Sequence, residues 1–226
     1  AERARPSTAH EPTPPMPMIA TVSLVRVVTT FLLDRQILDI ETPSGFALMK
    51  LAECVAAVAF VLLFSFLAGF RPDSLYLMGG RLRRSLSIGL FALAAASVGS
   101  VFIAPVFFGA RDLSPPVLLA WLPWILVFVL SNALTEELLY RGVFLKTLAP
   151  VYGPFPANLV IAFVFTGLHV GVTYPDNQLL FLALLVPLAL AWGAITQKTG
   201  NLLASVLFHA GTDVAVILGV FSNLGS

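Results

Sequence analysis

The stretch Thr135-Glu136-Glu137-Leu138-Leu139-Tyr140-Arg141 places two carboxylates and a guanidinium inside a run of residues that otherwise reads as membrane-spanning. An ionisable group at bilayer depth costs a few kcal/mol or more, so such groups are usually functional or neutralised by a partner. Two of the three histidines of the chain, His169 and His209, also lie in apolar segments. Carboxylates and imidazoles that meet in an apolar protein favour acid–base chemistry over a purely architectural role.

The composition predicts an integral membrane protein. The chain has 226 residues, of which 58% are hydrophobic and 11% are charged, and its mean hydropathy is +0.92. A soluble domain carries about 25% charged residues. The net charge of +1, without a basic stripe, gives no reason to expect a nucleic-acid partner. Cys54 is the only cysteine, which excludes a disulfide framework and a Cys-based metal site and predicts a small core residue.

Apolar runs of about 20 residues predict an all-α, polytopic transmembrane bundle of six or seven spans. The predicted spans are 19–38, 48–70, 86–109, 117–141, 155–174, 178–196 and 201–221. The first span contains Arg26, Asp34 and Arg35, and an interfacial helix is its alternative. We divide the chain into a flexible Pro-rich leader (1–18), N-terminal spans (19–110) and a catalytic membrane core (111–226).

Lysines and arginines in the short loops predict the orientation of the bundle, because cytoplasmic loops are enriched in them. Most of them fall in the 71–84, 142–154 and 197–200 loops. We therefore expect these loops on the cytoplasmic side of a bacterial plasma membrane, with the C-terminus outside. We also expect a hydrated cavity that opens toward the 142–154 and 197–200 loops.

Helical spacing predicts different roles for the two adjacent glutamates. Glu137 and Arg141 are four residues apart, so they share one face and should neutralise each other. Glu136 lies about 100° away around the helix and is left to face a cavity, where a desolvated carboxylate suits a general base. The alternative is that all three residues form one structural ion cluster.

Two histidines complete the candidate site. Glu136 and His169 are equidistant from the turn near Tyr152, so in an antiparallel helical hairpin they lie level and can share one water. His209 and Asp213 are four apart, so Asp213 can accept a hydrogen bond from His209 and fix its tautomer. The alternatives are a packed core histidine and a His–Asp pair that joins two helices.

These residues, in this order, resemble the motifs of the CPBP family of intramembrane proteases. That family includes the type II CAAX prenyl endopeptidases and bacterial proteins of bacteriocin processing or self-immunity. The Glu-Glu-x-x-x-Arg motif corresponds to Glu136, Glu137 and Arg141, the Phe-x-x-x-His motif to Phe165 and His169, and the His-x-x-x-Asn/Asp motif to His209 and Asp213. The resemblance covers roughly 117–221.

The resemblance implies an endopeptidase that acts at the membrane on a protein or peptide, without a covalent intermediate. Glu136 would then be the base, His169 would help to hold the water, and His209 would donate to the developing oxyanion. Glu137 and Arg141 would support the site. Asp213 departs from the Asn of the prenyl endopeptidases, and an ionised Asp cannot donate to an oxyanion, so we expect it to orient a protonated His209.

Three other functions fit parts of the pattern. A zinc protease could take its ligands from Glu136, His169 and His209, although the His-Glu-x-x-His motif is missing. Our expectation is a protease without a cofactor. A non-enzymatic scaffold or immunity protein could keep the same residues. A proton-coupled transporter would also use intramembrane Glu and His, but no internal repeat is evident.

Overall fold

The structure is a computed structural model that describes residues 23–24, 27, 29–31, 37–67, 75–77 and 79–224. The described residues form helices joined by turns and irregular connections, with no strand among them. This agrees with the predicted all-α bundle. The predicted leader, 1–18, and most of the first predicted span, 19–38, lie outside the described residues.

The helices follow one another with short connections. They are α1 (Pro43–Leu67), α2 (Leu82–Phe107), α3 (Pro115–Glu137), a π-helical segment (Leu138–Leu145), α4 (Lys146–Tyr152), α5 (Pro154–Gly167), α6 (Gln178–Thr199) and α7 (Leu203–Asn223). The helices α3 and α4 and the π-helical segment form one continuous rod, Pro115–Tyr152, of 38 residues. The predicted span 117–141 is therefore the first two thirds of a longer helix.

In the described part of the chain, five helices are long and apolar enough to cross a membrane: α1, α2, the rod Pro115–Tyr152, α6 and α7. The predicted span 155–174 is wrong as a complete crossing, because α5 ends at Gly167 after 14 residues. At about 1.5 Å per residue such a helix is shorter than the hydrocarbon core of about 30 Å. Residues 168–177 instead form turns and an irregular connection.

Local sequence explains where several helices begin and end. Proline stands at the first turn of α3 and α5, where its missing N–H costs nothing. The Asn177 side chain accepts a hydrogen bond from the backbone N–H of Leu180 at 3.0 Å and caps α6. Gly200, with φ of 67°, ends α6 in the left-handed conformation that glycine adopts without strain.

The bundle has two ends with different composition. At one end, the backbone N–H of Arg81 donates to the Thr199 carbonyl at 2.9 Å, and the Gln197 amide donates to the Pro154 carbonyl at 2.8 Å. The connections that precede α2, α5 and α7 are therefore neighbours, as the loop charges predicted. We name this the cationic end, after Arg81, Arg83, Arg84, Lys146 and Lys198.

The opposite end of the bundle brings together the connections 108–114 and 168–177 and the end of α7. The backbone N–H of Asp176 donates to the Phe107 carbonyl at 2.9 Å, and that of Arg111 donates to Ser222 Oγ at 2.9 Å. The helix α1 begins toward this end, because Phe46 stacks on Phe128 in the first half of the rod Pro115–Tyr152.

The helix α7 lies at the centre of the bundle and is its most buried long helix. It packs along α2, where the Ser100 hydroxyl donates to the Gly211 carbonyl at 2.9 Å, and it also contacts α3 and α6. Because α2 precedes residue 110, part of the N-terminal segment packs directly on the helix that carries His209 and Asp213.

Candidate functional site

The two adjacent glutamates point to different surroundings. The Glu137 side chain is 0% exposed, and its Oε1 accepts a hydrogen bond from Arg141 Nη1 at 2.9 Å. The Glu136 side chain is 22% exposed and lines a cavity. The predicted pairing of Glu137 with Arg141 and the predicted exposure of Glu136 to a cavity are both confirmed.

Arg141 connects the rod to two other helices. Its second terminal nitrogen, Nη2, donates to the Ala189 carbonyl of α6 at 2.9 Å. Its guanidinium carbon lies 5.0 Å from the centre of the Phe165 ring and 5.3 Å from that of Trp192. These aromatic faces attract the cation and shield it from the bilayer. Arg141 lies in the π-helical segment, and π-helical geometry is often found at functional sites.

Every nitrogen of the His209 ring faces a carboxylate. Nδ1 donates to Glu137 Oε1 at 2.9 Å. Nε2 lies 3.4 Å from Glu136 Oε2 and 3.4 Å from Asp213 Oδ1. Asp213 therefore faces His209 as the spacing predicted, but the shorter hydrogen bond of the ring is donated to Glu137, on another helix. The four-residue spacing placed Asp213 on the correct face but could not indicate a contact between distant segments.

Asn132 is a site residue that the sequence analysis missed. Its side-chain amide donates to Asp213 Oδ2 at 3.0 Å, and both residues line the cavity. Asn132 lies one helical turn before Glu136 on the same face of α3. The four-residue spacing could have indicated Asn132 as a site residue, since a second polar side chain on that face also needs a partner.

Trp192 is the second missed residue. Its ring stacks on the His209 ring with centroids 3.9 Å apart and an interplanar angle of 7°. Trp192, on α6, is 1% exposed, so its ring fixes the plane of the imidazole. A lone tryptophan in an apolar helix gives no local signal for such a contact.

His169 lies just beyond α5 rather than within a helix, which corrects the prediction. The helix ends at Gly167, and His169 stands in the following turn. Its Nδ1 donates to the Phe165 carbonyl at 2.8 Å, and the Gln178 amide donates to the His169 carbonyl at 3.0 Å. With Nδ1 as the donor, the neutral ring has its lone pair on Nε2. Phe165, a fully buried residue, packs against both His169 and His209.

A cavity of about 440 Å³ brings the candidate residues together. Glu136, His169, His209 and Asp213 line it, together with mostly aromatic and aliphatic side chains. Its wall includes residues near the opposite end of the bundle, such as Phe107, Phe108, Phe181 and Val220. No described residue of the 142–154 and 197–200 loops lines the cavity, and the predicted opening toward those loops stays a prediction.

Tyr174 contributes a hydroxyl to the cavity from the connection between α5 and α6. Burial and the negative charges of Glu136 and Asp213 raise the pKa of this hydroxyl. Tyr174 therefore stays neutral at physiological pH and keeps its O–H as a donor. Its ring packs against Phe108 and Phe181, which holds the connection 168–177 over the cavity.

The residues that are described include no group of three or more His, Cys, Asp or Glu side chains with a spacing that could hold a metal ion. His169 and His209 each use Nδ1 in a hydrogen bond, to a backbone carbonyl and to Glu137 respectively.

The helices and the site together define an integral membrane protein with a polar centre enclosed by its membrane-spanning helices. Residues 118–215 match the family model described as type II CAAX prenyl endopeptidase Rce1-like. The matched part contains every predicted site residue, and the match is consistent with the resemblance to CPBP proteases. The family indicates a CAAX-type intramembrane protease. No curated protein and no solved structure matches the chain significantly.

Proposed function

We propose that the chain is a glutamic-type intramembrane endopeptidase in which Glu136 and His169 activate a water molecule. The observation that carries this proposal is the difference between the two glutamates. Glu137 is enclosed and paired with Arg141, while Glu136 has an accessible carboxylate at the cavity wall. A base must reach both water and substrate, and of the two only Glu136 meets this requirement.

The water would lie between Glu136 and His169 in the cavity. Glu136 takes a proton from the water as the oxygen attacks the carbonyl carbon of the peptide bond. The hydrogen bond from His169 Nδ1 to the Phe165 carbonyl leaves Nε2 as an acceptor that orients the second hydrogen of the water. Glu136 then gives its proton to the leaving nitrogen, so that one water and the peptide bond yield a carboxylic acid and an amine without a covalent intermediate.

His209 would stabilise the oxyanion of the tetrahedral intermediate. Carboxylate oxygens face both of its nitrogens, a setting that suits the imidazolium form, in which both nitrogens are donors. Nε2 can donate its hydrogen bond to an oxyanion in the cavity instead of to the carboxylates. Asp213 contributes by orienting this donor, and Asn132 holds Asp213 through its amide.

Glu137, Arg141 and Phe165 would position the reacting groups. Glu137 Oε1 accepts hydrogen bonds from both Arg141 and His209. Arg141 therefore holds the Glu137 carboxylate in place, and this carboxylate in turn holds the His209 ring. Phe165 supplies the carbonyl that orients His169 and the ring that packs against it. Supporting residues of this kind keep reacting groups within the narrow geometry that catalysis requires.

We propose a bacterial plasma membrane as the location and a protein or peptide embedded in or next to the bilayer as the substrate. No cofactor takes part in this mechanism, and no nucleic acid is a partner. The apolar cavity wall supports a substrate with an apolar segment next to the scissile bond.

The test is a comparison of peptide termini in membranes from cells with the wild-type chain, Glu136→Gln or Glu41→Gln. Glu41 is an exposed residue, so its substitution is a matched control for the same chemical change. We expect a set of termini to disappear only with Glu136→Gln, because the amide cannot accept the proton of the water. Identical termini in all three, with equal amounts of folded protein, would favour the scaffold or immunity alternative, and loss with a chelator would favour the zinc alternative.

A further inference from the structure

The proposed hydrolysis places a negative oxygen in the cavity, and the predicted site residues offer it one donor. His209 Nε2 can donate from the cavity wall, whereas an ionised Asp213 can only accept hydrogen bonds. Enzymes of acyl transfer usually hold such an oxyanion with two fixed donors. A second donor would therefore come from the other polar side chains that line the cavity.

Most of these polar side chains already donate to an acceptor of the protein. They are Ser100, Asn132, Thr212 and Lys50. The hydroxyls of Ser100 and Thr212 donate their single hydrogen to backbone carbonyls, at 2.9 and 2.7 Å. The amide of Asn132 and the ammonium of Lys50 lie against carboxylates, at 3.0 and 2.9 Å. Trp192 Nε1 has no hydrogen-bond partner among the described residues, but the side chain is 1% exposed and the nitrogen is enclosed.

The hydroxyl of Tyr174 is the neutral donor of the cavity wall that remains uncommitted. No residue in the described part of the chain forms a hydrogen bond with it. Burial raises the pKa of this hydroxyl, and so do the charges of Glu136 and Asp213, which places both carboxylates in its neighbourhood. Tyr174 therefore presents a protonated hydroxyl to the part of the cavity where the proposed base lies.

Aromatic contacts fix the position of Tyr174 beside His169. The Phe181 ring contacts both side chains, with its centroid 6.1 Å from that of the His169 ring and 5.7 Å from that of the Tyr174 ring. The Tyr174 ring also packs against Phe108, with centroids 6.2 Å apart. A donor held in this way needs little reorganisation when charge develops next to it, which is the property that makes an oxyanion site effective.

We propose that Tyr174 is a further catalytic residue, whose hydroxyl donates a hydrogen bond to the oxyanion together with His209 Nε2. Tyr174 thus supplies the second donor that Asp213 cannot supply. The hydroxyl keeps its proton throughout, so the proton transfers through Glu136 are unchanged. The inference rests on the proposed function, since the oxyanion forms only when a peptide bond is hydrolysed.

The test compares Tyr174→Phe with Tyr152→Phe in the full chain, with the peptide that the comparison of termini identifies as the substrate. Both changes remove one hydroxyl and keep the ring, and Tyr152 is exposed and does not line the cavity. We expect Tyr174→Phe to lower kcat on the order of 100-fold with little change in KM, because the hydrogen bond forms only with the oxyanion. Tyr152→Phe should have the kcat of the wild-type chain.

A phosphinate analogue of the same peptide, which carries a tetrahedral anion at the scissile bond, gives a second readout. Tyr174→Phe should weaken binding of this analogue by a factor similar to the loss in kcat, a result that a purely structural role would not produce. An unchanged kcat, or a loss confined to KM, would overturn the role of Tyr174 and leave the protease function standing. A wild-type chain that cleaves no peptide would overturn the proposed function and this inference with it.

Discussion

Replacement of Arg141 by methionine should destabilise the protein strongly, because it leaves the Glu137 carboxylate charged and buried. Both side chains are 0% exposed, and Arg141 Nη1 lies 2.9 Å from Glu137 Oε1. Removal of one partner of a buried ion pair costs about 3–5 kcal/mol. The change also removes the hydrogen bond to the Ala189 carbonyl at 2.9 Å. For a chain of this length the melting temperature should fall on the order of 10 °C.

The assay is thermal unfolding of the purified protein in detergent, with Glu137→Gln, Arg141→Met and the double variant measured side by side. If the pair acts as a unit, the double variant should be more stable than the sum of the single effects predicts, by about 1–3 kcal/mol. Lys198→Met is the matched control, because Lys198 is an exposed cation and its loss should cost less than about 0.5 kcal/mol. Additive effects, or an Arg141→Met variant as stable as the control, would refute the role of the buried pair.

Two further predictions concern contacts between helices. Asn132→Asp should lower kcat/KM roughly tenfold to a hundredfold by setting a second carboxylate against Asp213, and the exchange Asn132→Asp with Asp213→Asn should recover much of it. A peptide-cleavage assay checks this, and an exchange variant no better than Asn132→Asp alone would contradict it. Gly211→Ala should cost about 1–3 kcal/mol of stability, because its methyl group would lie 2.8 Å from Ala96 Cβ and 2.8 Å from the Leu93 carbonyl oxygen. Thermal unfolding measures this cost, and Gly99→Ala, with open space around the new methyl group, should show none.

Local spacing was sufficient to predict part of the site. The pairing of Glu137 with Arg141 follows from the geometry of one helical turn, and the different direction of Glu136 follows from its offset of about 100°. The grouping of three loops at the cationic end was predictable from their lysines and arginines, because this signal requires no knowledge of helix packing. These features depend on residues close to each other in the sequence or on composition alone.

Three of the features that the sequence analysis missed depend on contacts between distant segments. The hydrogen bond from His209 to Glu137 joins residues 72 positions apart, and that from Asn132 to Asp213 joins residues 81 apart. The stacking of Trp192 on His209 needs the register of α6 against α7. The early end of α5 was also missed, because the apolar run continues past Gly167 and hydropathy does not show where a helix stops. Residues 168–177, which follow that end, help to form the cavity wall through Tyr174.

The charges of the site explain how three carboxylates are tolerated among apolar helices, and which of them remains reactive. Arg141 neutralises Glu137 at 2.9 Å. His209 Nε2 lies 3.4 Å from both Asp213 Oδ1 and Glu136 Oε2, and Asp213 also accepts a hydrogen bond from Asn132. Of the three carboxylates, Glu136 has the most exposed side chain. The contacts that lower the cost of burying Glu137 and Asp213 thus leave Glu136 as the accessible carboxylate at the cavity wall, which the proposed hydrolysis needs as its base.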